Sequence, residues 1–152
     1  FTIQTMDQAE DLACFIANCF PSPDTALPGL ASLLVNAIEH GNLDIGYETK
    51  SELLQDGLWH EEIEIRQSRN AHEDQKVHVV LFQNEEETRV TIRDEGVGFN
   101  WKNYMSIDPS RALDNHGRGI AQANKISFDE LIYNEKGNEV TAISKKGSGI
   151  IW

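Results

Sequence analysis

An acid and two spaced glycines, Asp94-x-Gly96-x-Gly98, follow the strand-like run Arg89-Val-Thr-Ile-Arg93. After a connecting stretch of about 18 residues comes a second glycine pair, Gly117-Arg118-Gly119, placed where a helix should begin. A carboxylate at a strand end can accept a hydrogen bond from an exocyclic amine, and glycines let backbone approach a ligand closely. Free amides at a helix start favour phosphate, by about 0.3–2 kcal/mol per favourable charge. Arg118 adds a fixed cation with a forked set of donors. Either glycine motif alone is an ordinary tight turn. Their order, and a loop between them long enough to serve as a lid, point to a purine-nucleotide pocket.

A second set of polar residues lies upstream. Ser32, Asn36, Glu39 and His40 recur at i, i+4, i+7 and i+8 and so share one side of a helix expected from about Pro28 to His40. Leu30, Leu33, Leu34, Ala37 and Ile38 form its apolar stripe. The plain reading of such a polar line is a solvated face; the glycine motifs downstream make it a candidate pocket wall. His40 could act as a base, as a phosphate contact or, most simply, as a cation near the helix C-terminus. The five histidines are scattered and no Cys-His cluster occurs, so a zinc-type site has no support.

The elements that must position these groups follow from periodicity. Phe1–Thr5 alternates like a short strand, and Thr5 with Gln8 forms a capping box for a first helix carrying Ala9, Leu12, Ala13, Ile16 and Ala17. Phe20-Pro21-Ser22-Pro23 ends that helix. Two helical pieces are expected around Tyr47–Leu54 and Leu58–Arg69, the second only moderately amphipathic, and Asn70–Gln75 reads as an exposed loop. Val77–Phe82 is apolar on both faces, which predicts a central strand. Arg89–Arg93 continues the sheet. Strands over Ser127–Tyr133 and Glu139–Lys145 flank a hairpin loop, Asn134–Asn138, that contains a glycine. Helices first and mostly antiparallel strands afterwards predict an α+β two-layer sandwich, with a mixed sheet and helices on one face. Residues 1–146 read as one domain and 147–152 as a tail, either vector-derived or a link to a neighbouring domain; the start at Phe1 is read as that of a processed or excised piece.

Thirteen basic against 25 acidic residues give a net charge of -12, which repels a nucleic-acid backbone and argues against DNA or RNA as the partner. No apolar run has the roughly 18 residues that a membrane span requires. Cys14 and Cys19 read as reduced, part-buried thiols on different faces, in keeping with a cytoplasmic protein.

Leu33-Leu-Val-Asn36-Ala-Ile-Glu39-His40-Gly41-Asn42, Asp94-Glu-Gly96-Val-Gly98-Phe99 and His116-Gly117-Arg118-Gly119-Ile120 resemble the three ATP-site boxes of the histidine-kinase-like ATPase superfamily, the Bergerat fold. Within it the chain looks most like bacterial anti-sigma-factor serine kinases, over about Thr5 to Lys145. The resemblance implies an ATP (or ADP) and Mg2+ site. Asn36 would bind the metal ion, and Asp94 would accept from the adenine amine. Gly96 and Gly98 would line the base pocket, with Phe99 and Ile120 closing the two glycine boxes. Gly117, Arg118 and Gly119 would hold phosphates, with His40 near them, and the hydroxyl of Thr141 would support the adenine. Asn100–Asn115 would be the lid, with Trp101 and Tyr104 at its hinge. The implied partners are a STAS-type anti-sigma-factor antagonist or a sigma factor, and a homodimer is open.

One position departs from the pattern. The kinases that the chain resembles carry a glutamate base four residues before the box asparagine; here it is Ser32. Serine cannot take that proton at neutral pH. Glu39 and His40 are the remaining catalytic candidates on the helix, with Glu39 about 10 Å along the axis from Ser32. Three readings stay open: a slow serine/threonine kinase, a catalytically dead nucleotide-gated interaction module, and the ATPase domain of a two-component histidine kinase.

Overall fold

The computed structural model describes residues 1–69, 73–111 and 117–147. His116, the lid segment 112–115, part of the 70–75 loop and all of the tail beyond Gly147 lie outside the described residues. Helices fill the first half: α1 (Met6–Ala17), α2 (Pro23–Asn36) continued by a π turn (Ala37–Asn42), α3 (Tyr47–Asp56) and α4 (Trp59–Ser68). A two-residue strand β1 (Thr2–Ile3) precedes them. Beyond them come β2 (Val77–Gln83), β3 (Glu87–Arg93), a single α turn α5 (Gly119–Gln122) running into a second π turn (Ala123–Ser127), β4 (Glu130–Tyr133) and β5 (Glu139–Lys145).

The capping box of α1 forms as the sequence predicts: Thr5 Oγ1 accepts from the Gln8 N–H at 3.2 Å while the Gln8 side chain reaches back to the Thr5 N–H. Helix α2 starts five residues before the expected Pro28. Pro23 occupies its first turn, where a missing N–H costs nothing, so a proline expected only to stop one helix also opens the next.

Among the described residues five strands run in the order β1-β2-β3-β5-β4, and every pair is antiparallel. This corrects the expected mixed sheet. The crossover through α5 would leave β3 and β4 parallel neighbours, but β5 inserts between them. Strand β4 starts at Glu130 rather than Ser127, which is buried in the π turn. Nor is β2 buried on both faces: Val77 and Val79 are buried, whereas Val80 is 63% and Phe82 49% exposed. Helices cover one face of the sheet, and the other is open. The core lies between Leu12, Ile16, Leu30, Leu33 and Leu34 of α1 and α2 and Val79, Val90, Ile92 and Ala142 of the sheet. Both cysteines are free as expected, but Cys14 is exposed.

Helices α3 and α4 bury little and attach through polar bonds together with Leu53, Trp59 and Ile63 packed on the core. α3 buries none of its residues and α4 only Ile63. Arg66 of α4 donates to the Leu43 and Asp44 carbonyls at 2.9 and 3.0 Å. Among the described residues no helix is long and apolar enough to cross a membrane.

Candidate functional site

A cleft of about 780 Å³ has walls from α2, its π turn, α3, the end of β3, the 117–120 segment and the β4–β5 loop. Ser32, Asn36 and His40 line it from the helix, Asp94, Gly98 and Phe99 from the first glycine motif, and Gly117 to Ile120 from the second. Residues widely separated in sequence therefore meet around one space.

Asp94 is the most constrained of them. A Cβ on Gly41 would lie 2.3 Å from the Asp94 Cγ, and one on Gly96 would lie 2.2 Å from the Gly41 carbonyl oxygen. The carboxyl group therefore sits in a seat that only two glycines leave open. The Gly96 N–H donates to Asp94 Oδ1 at 2.8 Å, and the Glu95 N–H to Asn42 Oδ1 at 2.8 Å. Burial pushes the Asp94 carboxyl up to about 6, against the opposing pull of the Gly96 N–H and the Lys136 charge. Tyr133 stands nearby; burial and the Asp94 charge push its phenol well above the usual range. The Tyr133 ring meets Phe99 edge-on and stacks on Trp101, both at 5.6 Å. Tyr104 packs between Phe99 and Tyr47. The two aromatics expected at the lid hinge thus join one cluster at the cleft mouth.

Gly96 supports Asp94 from behind instead of lining the cleft. Gly98 has φ of +82°, and a Cβ there would strike the Lys136 carbonyl at 1.9 Å. At the other end Gly117 has φ of +84° and packs against the Tyr47 ring. A Cβ on Gly119 would lie 2.9 Å from Ser32 Oγ, so Ser32 directly faces the glycine segment. The helix that follows is short, one α turn and then a π turn. It offers free amides with little macrodipole behind them.

Two further expected residues fall elsewhere. Thr141 is on the far side of the sheet. Its strand neighbours Val140 and Ala142 are buried against the helices, so the two-residue period turns Thr141 to the open face, where its hydroxyl meets that of Thr91 at 3.2 Å. It cannot support a base in the cleft. Glu39 is fully buried behind the cleft wall, accepting from Lys50 Nζ at 2.7 Å and from the Trp59 indole N–H. The π turn, with the Leu43 N–H bonded to the Ile38 carbonyl, shifts residues past Asn36 off the α-helical stripe and separates Glu39 from Ser32 and Asn36. His40 remains at the wall. Its Nδ1 is bonded to the Ile45 carbonyl, so this nitrogen carries a hydrogen.

Other lining residues carry no motif. Tyr133 is reached by counting alternate residues inward from Leu131. Glu10, on the exposed flank of α1, and Lys50, on a helix with no buried face, give no signal in sequence. No protein-family profile matches the chain, and no curated protein matches it.

Proposed function

We propose that the cleft binds an adenine nucleotide, ATP or ADP, with Mg2+, in a domain of Bergerat type that resembles anti-sigma-factor serine kinases. The observation that carries this reading is the Asp94 carboxyl held in its two-glycine seat beside an aromatic wall, with the Gly117–Gly119 segment lining the same cleft. A carboxylate there accepts from the adenine amine, and the glycine segment with Arg118 receives the phosphates. Asn36, half-buried in the wall, supplies a hard oxygen. Mg2+ commonly keeps several waters and binds through phosphates with few protein ligands, so one amide oxygen fits its habits. Bound there, it would neutralise phosphate charge.

The output of the domain follows from the same resemblance: it acts in the cytoplasm on a STAS-type antagonist or a sigma factor, with a homodimer open. Free thiols at Cys14 and Cys19 support a reducing compartment. A second reading, the nucleotide-gated interaction module without turnover, is favoured by Ser32. The helix residue facing the phosphate segment is a hydroxyl rather than a carboxylate.

Thermal unfolding with ligand tests nucleotide binding. At a concentration about 100 times Kd a ligand adds roughly 2.7 kcal/mol, or a rise of about 5–10 °C in Tm for a domain of this size. Mg-ATP should produce that shift. An unchanged Tm at millimolar Mg-ATP would remove the reading.

A further inference from the structure

The nucleotide reading leaves open how an acidic chain holds a polyphosphate. The chain has net charge -12, and Glu10, Asp44, Asp94 and Glu139 all line the cleft. Among the described lining residues the lysine and arginine side chains are Lys50 and Arg118. Arg118 belongs to the glycine segment. Lys50 comes from α3, which also carries the Tyr47 ring that packs on Gly117.

Lys50 is fixed rather than free to sweep through solvent. Its side chain is 16% exposed; its ammonium lies 2.7 Å from Glu39 Oε2 and 5.7 Å from the centre of the Trp59 ring. Glu39 Oε2 is also 3.6 Å from Nε2 of His40, another wall residue, so the carboxylate stands directly behind the wall that Lys50 and His40 make. An ammonium has three donors, and the Glu39 bond uses one. A buried carboxylate that accepts from both an ammonium and an indole is costly to place, and the bland account is that it pins α3 and α4 to α2. That account leaves unexplained why the cation lines the cleft.

We propose that Lys50 is a phosphate-binding residue of this cleft, oriented by Glu39, and that together with Arg118 it selects ligands carrying a polyphosphate. The inference rests on the nucleotide reading. Glu39 is then a positioning residue: it holds the ammonium at the wall, and the donors not spent on Glu39 meet phosphate oxygens.

The test is calorimetric titration with Mg-ATP and, separately, adenosine. Lys50→Met leaves Glu39 buried with one partner fewer and can fail to fold. The double variant Glu39→Gln with Lys50→Met removes both charges and keeps an oxygen for the Trp59 N–H. It should lose about tenfold or more in affinity for Mg-ATP, the scale of one charge-assisted hydrogen bond, with adenosine affinity within about twofold. Lys50→Arg keeps the charge and should hold Mg-ATP affinity within about threefold. Equal Mg-ATP affinity for the parent and the double variant overturns the role of Lys50 alone. So does a parallel loss of ATP and adenosine affinity, which marks a structural effect. If the unaltered chain binds neither ligand, the nucleotide reading falls and Lys50 with it.

Discussion

Asp94→Asn should abolish measurable adenine-nucleotide binding and at the same time make the protein more stable. The two effects share one cause. Burial raises the carboxyl to about 6 from an ordinary 3.8, so the folded state holds the proton more tightly than the unfolded chain does. The contribution of Asp94 to stability is therefore best at low pH and is lost as pH rises from about 4 to about 6, leaving a charged, partly desolvated carboxylate at neutral pH. Asparagine keeps the shape and an oxygen for the Gly96 N–H without that charge. Its Tm should exceed that of the parent at about pH 7.5, and the gap should close toward pH 4. Binding moves the other way: with Oδ1 taken by the Gly96 N–H, the second oxygen accepts strongly from the adenine amine as a carboxylate, weakly once protonated to a hydroxyl, and is replaced by a donor NH2 in asparagine. In the parent, affinity for Mg-ADP should hold above about pH 7 and fall as pH drops through about 6. Melting curves and calorimetry on both forms read all of this. Equal nucleotide affinities would refute the adenine assignment, and a less stable Asn form at neutral pH would refute the account of the buried charge.

The second large effect belongs to Ser32. Its hydroxyl faces Gly119 at the proposed phosphate end of the cleft, and a glutamate there would place a carboxylate near the attacking hydroxyl or water. General-base catalysis is commonly worth about 10²–10⁴-fold, or roughly 3–5 kcal/mol of barrier. Ser32 lines the cleft, so a longer side chain there would extend along its wall. Ser32→Glu should raise ATP turnover or phosphate transfer to a STAS-type partner at least tenfold over the parent, with little change in Mg-ADP affinity. An unchanged rate would mean that Ser32 is not where the defect lies. Robust transfer by the parent itself would retire the binding-only reading and turn attention to Glu10, the carboxylate that α1 brings to the cleft.

Much of this arrangement was legible in residue types and spacing, because the strongest signals are local. Asp94, Gly98, Gly117 and Gly119 sit in motifs whose backbone demands are written in the residues themselves, and the Thr5–Gln8 cap needs only four positions. What sequence misjudged depends on long-range geometry. Thr141 was displaced by a register that only the pairing with β3 fixes. Glu39 left the Ser32–Asn36 line because the helix widens to a π turn at Ala37, and nothing in the composition of that segment announces it. The outer face of β2 stayed open although Val80 and Phe82 are apolar, since a hydrophobic side chain does not say whether anything covers it. Lys50 was invisible because α3 buries none of its residues and α4 only Ile63, so neither helix carries an apolar stripe that says which side faces the body.

The central claim is that this cleft recognises an adenine nucleotide through Asp94, and it is tested most directly by titrating the unaltered chain with Mg-ATP and with Mg-GTP in a calorimeter. The account predicts saturable one-to-one binding of ATP and none of GTP, whose O6 is an acceptor that would face the Asp94 carboxylate. Absence of ATP binding, or equal affinity for the two nucleotides, would contradict it.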